Sequence, residues 1–146
     1  EDLARLALER KQAAIAELDG LDQQIAGLEL EQEKLTQAEQ RLQAKVAAFN
    51  VRIVEEEGFA KLVEGNDRTI AIVIIDGPTL IARLEGGSLP QFAEGDSADA
   101  DVVIKASSET MLALLKRELS PIKAYAKGEL KVKASFRDLL MMKKFF

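Results

Sequence analysis

The first fifty residues place an apolar side chain at every seventh position, a pattern typical of a coiled-coil helix. Position d of this heptad register is apolar seven times in succession, at Ala7, Ala14, Leu21, Leu28, Leu35, Leu42 and Phe49. Position a is mixed, because it includes Lys11, Gln32 and Glu39. A long helix is stabilised mainly by packing of its apolar face, so we expect a second copy or a helix from outside this chain to cover the seam. The alternative is a solvated spacer helix.

Residues 51–146 follow a different pattern, in which short apolar strands alternate with short helices. Residues 69–75 are apolar on both faces, which predicts a central strand covered on both sides. Further strands are predicted at 79–85, 88–93, 100–106 and 129–134, and helices are predicted to begin at Ser107, Ser120 and Ser135.

Composition changes near Asn50, since all three prolines and seven of the nine glycines follow it. The sequence therefore predicts a coiled-coil helix over 1–50 and a separate globular domain over 51–146. The fold class is α+β, with a long N-terminal helix ahead of a sheet that helices cover.

Candidate catalytic chemistry is sparse. The chain has neither His nor Cys, which removes the commonest general base, the thiolate nucleophile and the commonest metal ligands. The acidic cluster Asp96, Asp99 and Asp101 does not match the spacing of an EF-hand calcium loop. We therefore expect no enzyme activity, no metal site and no cofactor.

Charge and hydropathy limit the partners. A formal net charge of −5 argues against a nucleic-acid binder. No apolar run reaches the roughly 18 residues of a membrane-spanning helix, and the N-terminus lacks a signal-peptide pattern. We expect a cytoplasmic protein that also contacts the inner face of the membrane peripherally.

Apolar residues are concentrated near the C-terminus, where three interpretations remain open. They form an ordinary core, or they line a cavity for an apolar ligand. In the third interpretation, Lys143 and Lys144 beside Phe145 and Phe146 rest on an anionic membrane, since residues 102–146 hold ten basic and four acidic side chains.

Residues 66–146 resemble the sterol carrier protein type two (SCP-like) domain. The motifs that carry the resemblance are Leu-Ser-Pro-x-x-Ala-Tyr at 119–125 and Gly-x-Leu-x-Val-x-Ala at 128–134, and residues 67–87 look like the family's first hairpin. The resemblance implies a five-stranded sheet in the order 3-2-1-4-5 around an apolar tunnel for sterols, fatty acyl chains or other lipids. It also implies a long first helix on the sheet, for which only residues 54–65 remain after the predicted coiled coil.

This resemblance predicts non-enzymatic binding and transfer of a lipid. The candidate lipid-binding side chains are Leu80, Leu84, Met111, Leu115, Tyr125, Leu139 and Met142.

Residues 1–49 resemble part of the coiled-coil hairpin of the phage shock protein A family, through 1–12 and 31–49. This resemblance implies a homo-oligomer through residues 1–50. It leads to an alternative function, a membrane-associated scaffold that carries the globular domain as a structural or dimerisation module.

Overall fold

The computed structural model describes residues 2–146, and the chain divides into two compact units. One unit ends at Glu33 and the other comprises Lys34–Phe146. Helix α1 (Asp2–Glu55) runs through 54 residues. It is continuous because the segment is rich in Ala, Leu, Glu and Gln and contains no proline. The predicted long N-terminal helix is confirmed.

In the unit that ends at Glu33, every described side chain is exposed. The seam residues Leu18, Leu21 and Leu28 are 61%, 48% and 65% exposed. The heptad pattern thus forms a helix with an open apolar face in this unit. A coiled coil through residues 1–50 stays a prediction.

In the second unit, the same heptad pattern is buried. The buried side chains of α1 are Ala38, Leu42, Val46, Phe49 and Ile53. This unit therefore begins at Lys34, whereas the composition shift predicted a boundary after residue 50. Composition could not locate the division, because the same helix-forming residues lie on both sides of it.

The segment Lys34–Glu55 supplies the long first helix that the resemblance implies. Helix α2 (Glu57–Val63) follows it and buries Phe59 and Val63. The expectation that only residues 54–65 were available for this role was wrong, since the second half of the predicted coiled coil packs into the core instead.

The sheet has five strands in the order β3-β2-β1-β4-β5, which confirms the predicted topology. Its strands are β1 (Arg68–Ile74), β2 (Thr79–Leu84), β3 (Ala93–Glu94), β4 (Val102–Ala106) and β5 (Lys131–Lys133). Strand β1 pairs antiparallel with β2 and parallel with β4. The helices between and after these strands are α3 (Ser108–Leu115), α4 (Pro121–Ala126) and α5 (Phe136–Phe145).

The two faces of the sheet are buried to different extents. Ile70, Ile72 and Ile74 on the inner face of β1 are at most 3% exposed. On the outer face, Ala71 is buried but Val73 is only half-buried. The prediction was that β1 is covered on both sides. The inner face is fully buried, whereas the outer face is only partly buried.

The third strand is shorter and later than predicted, because residues 88–93 are mostly loop. Pro90 has no N–H to donate to a ladder. The buried Leu89 is bound instead to Asn50 of α1, whose side-chain amide donates to the Leu89 carbonyl and accepts from its N–H, both at 2.8 Å.

Two carboxylates organise the ends of helices α3 and α5. The Asp138 side chain forms a capping box with Ser135 and an ion pair with Arg68 of β1, Nε to Oδ1 3.1 Å. The Asp76 carboxylate accepts from the N–H and the hydroxyl of Ser108, at 2.7 and 2.6 Å. These two hydrogen bonds hold the pKa of Asp76 below its ordinary value, with the Ser108 hydroxyl as the largest cause.

We expect Val46→Ala to lower the free energy of unfolding by about 1–3 kcal/mol, because Val46 is 1% exposed in the core. The matched control is Val51→Ala on the same helix, where the side chain is 51% exposed. Its effect should stay within about 0.5 kcal/mol. Urea denaturation measures both, and equal effects would mean that α1 does not belong to the folded core.

We expect the stabilisation by Asp76 to depend on pH. The folded-state pKa is lowered from 3.8, so the contribution is complete above that value and is lost as pH falls through the folded-state pKa. The unfolding free energies of wild type and Asp76→Asn should therefore differ most near neutral pH and converge in acid. Ser108→Ala should reduce this dependence without removing it, since the backbone N–H still donates. A difference that is independent of pH would contradict the assignment.

Candidate functional site

The inner face of the sheet forms one wall of the candidate site. The strand register aligns Leu80, Ile72, Ile104 and Val132 in a row across β2, β1, β4 and β5. Their side chains share this face because alternate residues of a strand point to the same side. The row contains only aliphatic side chains, so it offers burial to a ligand and no polar anchor.

Helices α1, α3 and α5 form the opposite wall. Met111, Leu114 and Leu115 of α3 are buried in the same cluster as Met141 and Met142 of α5. The spacing of these residues follows the helical repeat, which turns one apolar face of each helix inward. Methionine is flexible and polarizable, so this wall can repack around inserted groups.

Phe145 of α5 connects the elements of this wall through ring contacts. Its ring centroid lies 5.8 Å from that of Phe49 on α1 and 6.4 Å from that of Phe92, which precedes β3. Phe49 also contacts Phe59 of α2 at 5.2 Å. The angles between the rings are of the edge-to-face kind that aromatic pairs prefer. A displacement of α5 would therefore disturb α1 and the segment before β3 together.

A pocket of about 190 Å³ opens between α1 and the β2–β3 edge of the sheet. Leu42, Leu80 and Phe92 contribute its apolar lining. Its polar lining comes from Glu39, Gln43, Gln91 and Glu94. Such a pocket suits the end of an aliphatic group, with polar side chains near water. Its volume is below the roughly 300–1,000 Å³ of typical small-molecule pockets.

The polar groups near the end of α5 join it to α1. Lys45 Nζ donates to the Phe146 carbonyl at 3.3 Å, and the Arg52 guanidinium donates to the Lys144 carbonyl at 3.0 Å. Burial is the main cause that lowers the pKa of Lys45, and repulsion from Arg117 and Arg52 adds to it. These contacts close the site at this end.

Five of the seven predicted lipid-binding residues lie together in the core, at most 7% exposed: Leu80, Leu84, Met111, Leu115 and Met142. Of these, Leu80 lines the pocket. Tyr125 and Leu139 lie on the surface instead, 62% and 46% exposed. The structure does not bring these two into the core wall, and lipid contact by any of the seven stays a prediction.

The seven predicted residues omit Phe49, Phe92 and Phe145. The heptad pattern marked Phe49 as a seam residue, and its burial against the sheet was not visible from periodicity. Phe92 lies in a loop without apolar periodicity. Only the fold brings the three rings together.

Within residues 2–146, no group of three or more acidic, His or Cys side chains is arranged to hold a metal ion. The described helices also include none with a stretch long and apolar enough to cross a membrane. Every fully buried side-chain nitrogen or oxygen in the described residues has a hydrogen-bond partner. The core walls are thus apolar, whereas the pocket is also lined by polar side chains of α1 and of the segment around β3.

The model of the SCP-2 sterol transfer family matches residues 21–146. Curated proteins give no match. Among solved structures, the sterol carrier protein 2 of Aedes aegypti, determined as a complex with palmitate, has a TM-score of 0.50 and 16% sequence identity. That comparison covers 72% of this chain and 93% of the other.

Two further solved structures match part of this chain. The ubiquinone synthesis protein UbiJ-SCP2 has a TM-score of 0.51 and 12% identity, over 71% of this chain and 86% of the other. A sec-alkylsulfatase from Pseudomonas sp., Pisa1, matches 58% of this chain at 24% identity, with a TM-score of 0.47. This chain covers 13% of the sulfatase's length.

Proposed function

The chain belongs to the SCP-2 sterol transfer family, and we propose that it binds a sterol, a fatty acyl chain or another apolar lipid and transfers it without catalysing a reaction. The observation that carries the proposal is the family match over residues 21–146. This match includes the part of α1 that covers the sheet. The complete two-walled core therefore lies within the matched region.

The chemistry of the walls supports the proposal. Burial of an aliphatic ligand contributes about 25 cal/mol per Å² removed from water, and it needs no precise polar partner. The inner face of the sheet and the methionine-rich helices supply such an environment. The palmitate complex of the Aedes aegypti protein is an example of a fatty acid on this fold.

Binding of a long acyl chain requires the core to open. The pocket of about 190 Å³ accommodates only part of such a chain. We propose that the chain enters beside Leu80 and displaces the flexible side chains of Met111 and Met142. The ring contacts of Phe145 couple this displacement to a movement of α5, so lipid binding selects an opened form of the unit.

We expect Gln43→Phe to weaken the binding of a fluorescent fatty acid by about ten-fold or more, because the new ring obstructs the pocket that Gln43 lines. Gln40→Phe is the matched control, since Gln40 is an exposed residue of the same helix. Fluorescence titration measures both.

Normal binding by a folded Gln43→Phe variant would show that lipid does not use this pocket. If the wild-type protein binds neither a fatty acid nor a sterol, the proposed function is wrong.

A specific observation favours a second role for residues 2–33. The exposed seam leaves Leu18, Ile25 and Leu28 at 61%, 52% and 65% exposure over consecutive heptads. An apolar stripe of this kind on an isolated helix is unfavourable in water, which favours a homo-oligomer. The alternative function remains a phage-shock-type scaffold at the inner face of the membrane, in a cytoplasmic protein.

We expect Leu28→Lys at position d to dissociate the oligomer, whereas Leu30→Lys at position f should leave it intact. Sedimentation velocity measures the mass of each. Point substitutions are preferable to removing residues 1–50, because that cut would also remove Val46 and Phe49 from the core.

Under the carrier proposal, Leu28→Lys keeps fatty-acid binding. Under the scaffold alternative, Leu28→Lys abolishes assembly on membranes, and a monomeric wild type would show that the oligomer prediction is wrong.

A further inference from the structure

Helix α5 is apolar on two opposite faces. Its inner face buries Met141, Met142 and Phe145 in the core. Its outer stripe, which we define as Phe136, Leu139 and Leu140, is exposed by 77%, 46% and 42% respectively. The three residues are spaced three and four positions apart, so they lie side by side on one face of the helix. Core packing does not account for this second apolar face.

The segment that carries the outer stripe is rich in basic residues, although Lys144 at its end is paired with Glu56, Nζ to Oε1 3.4 Å. Residues 121–146 contain seven basic and two acidic side chains. One of the two acids, Asp138, is 3% exposed and paired with Arg68. Glu129 is then the one exposed acid of the segment. The exposed basic residues are Lys123, Lys127, Lys131, Lys133, Arg137, Lys143 and Lys144.

Helix α4 also combines exposed apolar side chains with neighbouring lysines, over fewer residues. Ile122 and Tyr125 are 80% and 62% exposed, three positions apart, and Lys123 and Lys127 flank them. A tyrosine ring with a polar tip suits the boundary between an apolar and a wet phase. Tyr125 and Leu139, two residues that the sequence marked for lipid contact, thus belong to exposed apolar surface.

We propose that the outer stripe of α5 docks on an anionic lipid surface and that α5 is the element through which the unit exchanges lipid with a membrane. The exchange role rests on the proposed function. Phenylalanine and leucine on one face with lysine and arginine around them is the composition of helices that lie in a membrane interface. Lysine is depleted at interfaces between proteins, which argues against a protein partner for this surface.

The position of α5 connects docking with the site. Phe145 on the inner face contacts Phe92, which lines the pocket, and the outer stripe lies on the opposite side of the same helix. A membrane that holds the outer stripe therefore acts on the helix that closes the core. This coupling lets an apolar ligand leave the core at the lipid surface, without passing through water.

The test is sedimentation of the full chain with vesicles of phosphatidylcholine, alone or with about one-quarter phosphatidylserine. We expect binding only to the phosphatidylserine vesicles, and weaker binding as salt is raised. Replacing Phe136 and Leu140 together by Ala should lower the partition coefficient at least about ten-fold. Lys143→Gln should lower it about five-fold.

The matched control is Ile75→Ala, since Ile75 is an exposed apolar residue (62%) that lies outside residues 121–146. It should leave vesicle binding unchanged. Phe136→Trp should preserve binding or strengthen it, which a merely structural role of Phe136 would not predict. Urea denaturation of each variant confirms that it is folded.

Fatty-acid binding without vesicles separates this inference from the proposed function. If wild type binds the fatty acid but ignores phosphatidylserine, or the Phe136 and Leu140 double variant partitions like wild type, the docking inference is wrong and the proposed function stands. If vesicle binding behaves as expected but no fatty acid binds, docking stands and the carrier function fails. If the double variant has a lower sedimenting mass than wild type in the absence of vesicles, the outer stripe is a contact between copies of the chain. That result would overturn the inference.

Discussion

The structure depends on covering the inner face of one sheet. That face consists of aliphatic side chains such as Ile72, Leu80 and Ile104, and leaving it in water would cost more free energy than a small unit can spare. The second half of α1 supplies part of this cover and buries Val46 and Phe49 in the core. Because this part of α1 packs on the sheet, the compact unit begins at Lys34, ahead of every strand. This packing also explains why the family match begins before residue 51.

The candidate site follows from this arrangement, because it lies between the sheet and the helices that cover it. Both walls are apolar, and a small pocket opens near the β2–β3 edge. Phe145 has a central position, since its ring contacts both Phe49 of α1 and Phe92 before β3. Under the proposed function, a lipid between the walls must displace such contacts, so binding and movement of α5 are parts of one process. The packing determines what must move to admit the ligand.

Two apolar surfaces lie outside the core, and they differ in their surroundings. The seam of residues 2–33 follows a heptad repeat with charges of both signs around it, which suits another helix. The outer stripe of α5 is short and lies in a segment with seven basic and two acidic side chains, which suits an anionic surface. The net charge of −5 conceals this, because the basic residues are concentrated at the C-terminal end.

The sequence by itself determined the long helix, the helix starts at Ser107, Ser120 and Ser135, and the motifs of the family resemblance that implied the strand order. These features depend on local periodicity, caps and motifs, all of which are written in neighbouring residues. The tertiary structure alone decided where the seam of α1 changes from exposed to buried, because a heptad repeat is the same whether its partner is a helix or a sheet. It alone decided that Leu115 and Met142 face the core whereas Tyr125 and Leu139 face solvent. Burial depends on which elements pack together, and the contacts that settle it join residues far apart in the chain.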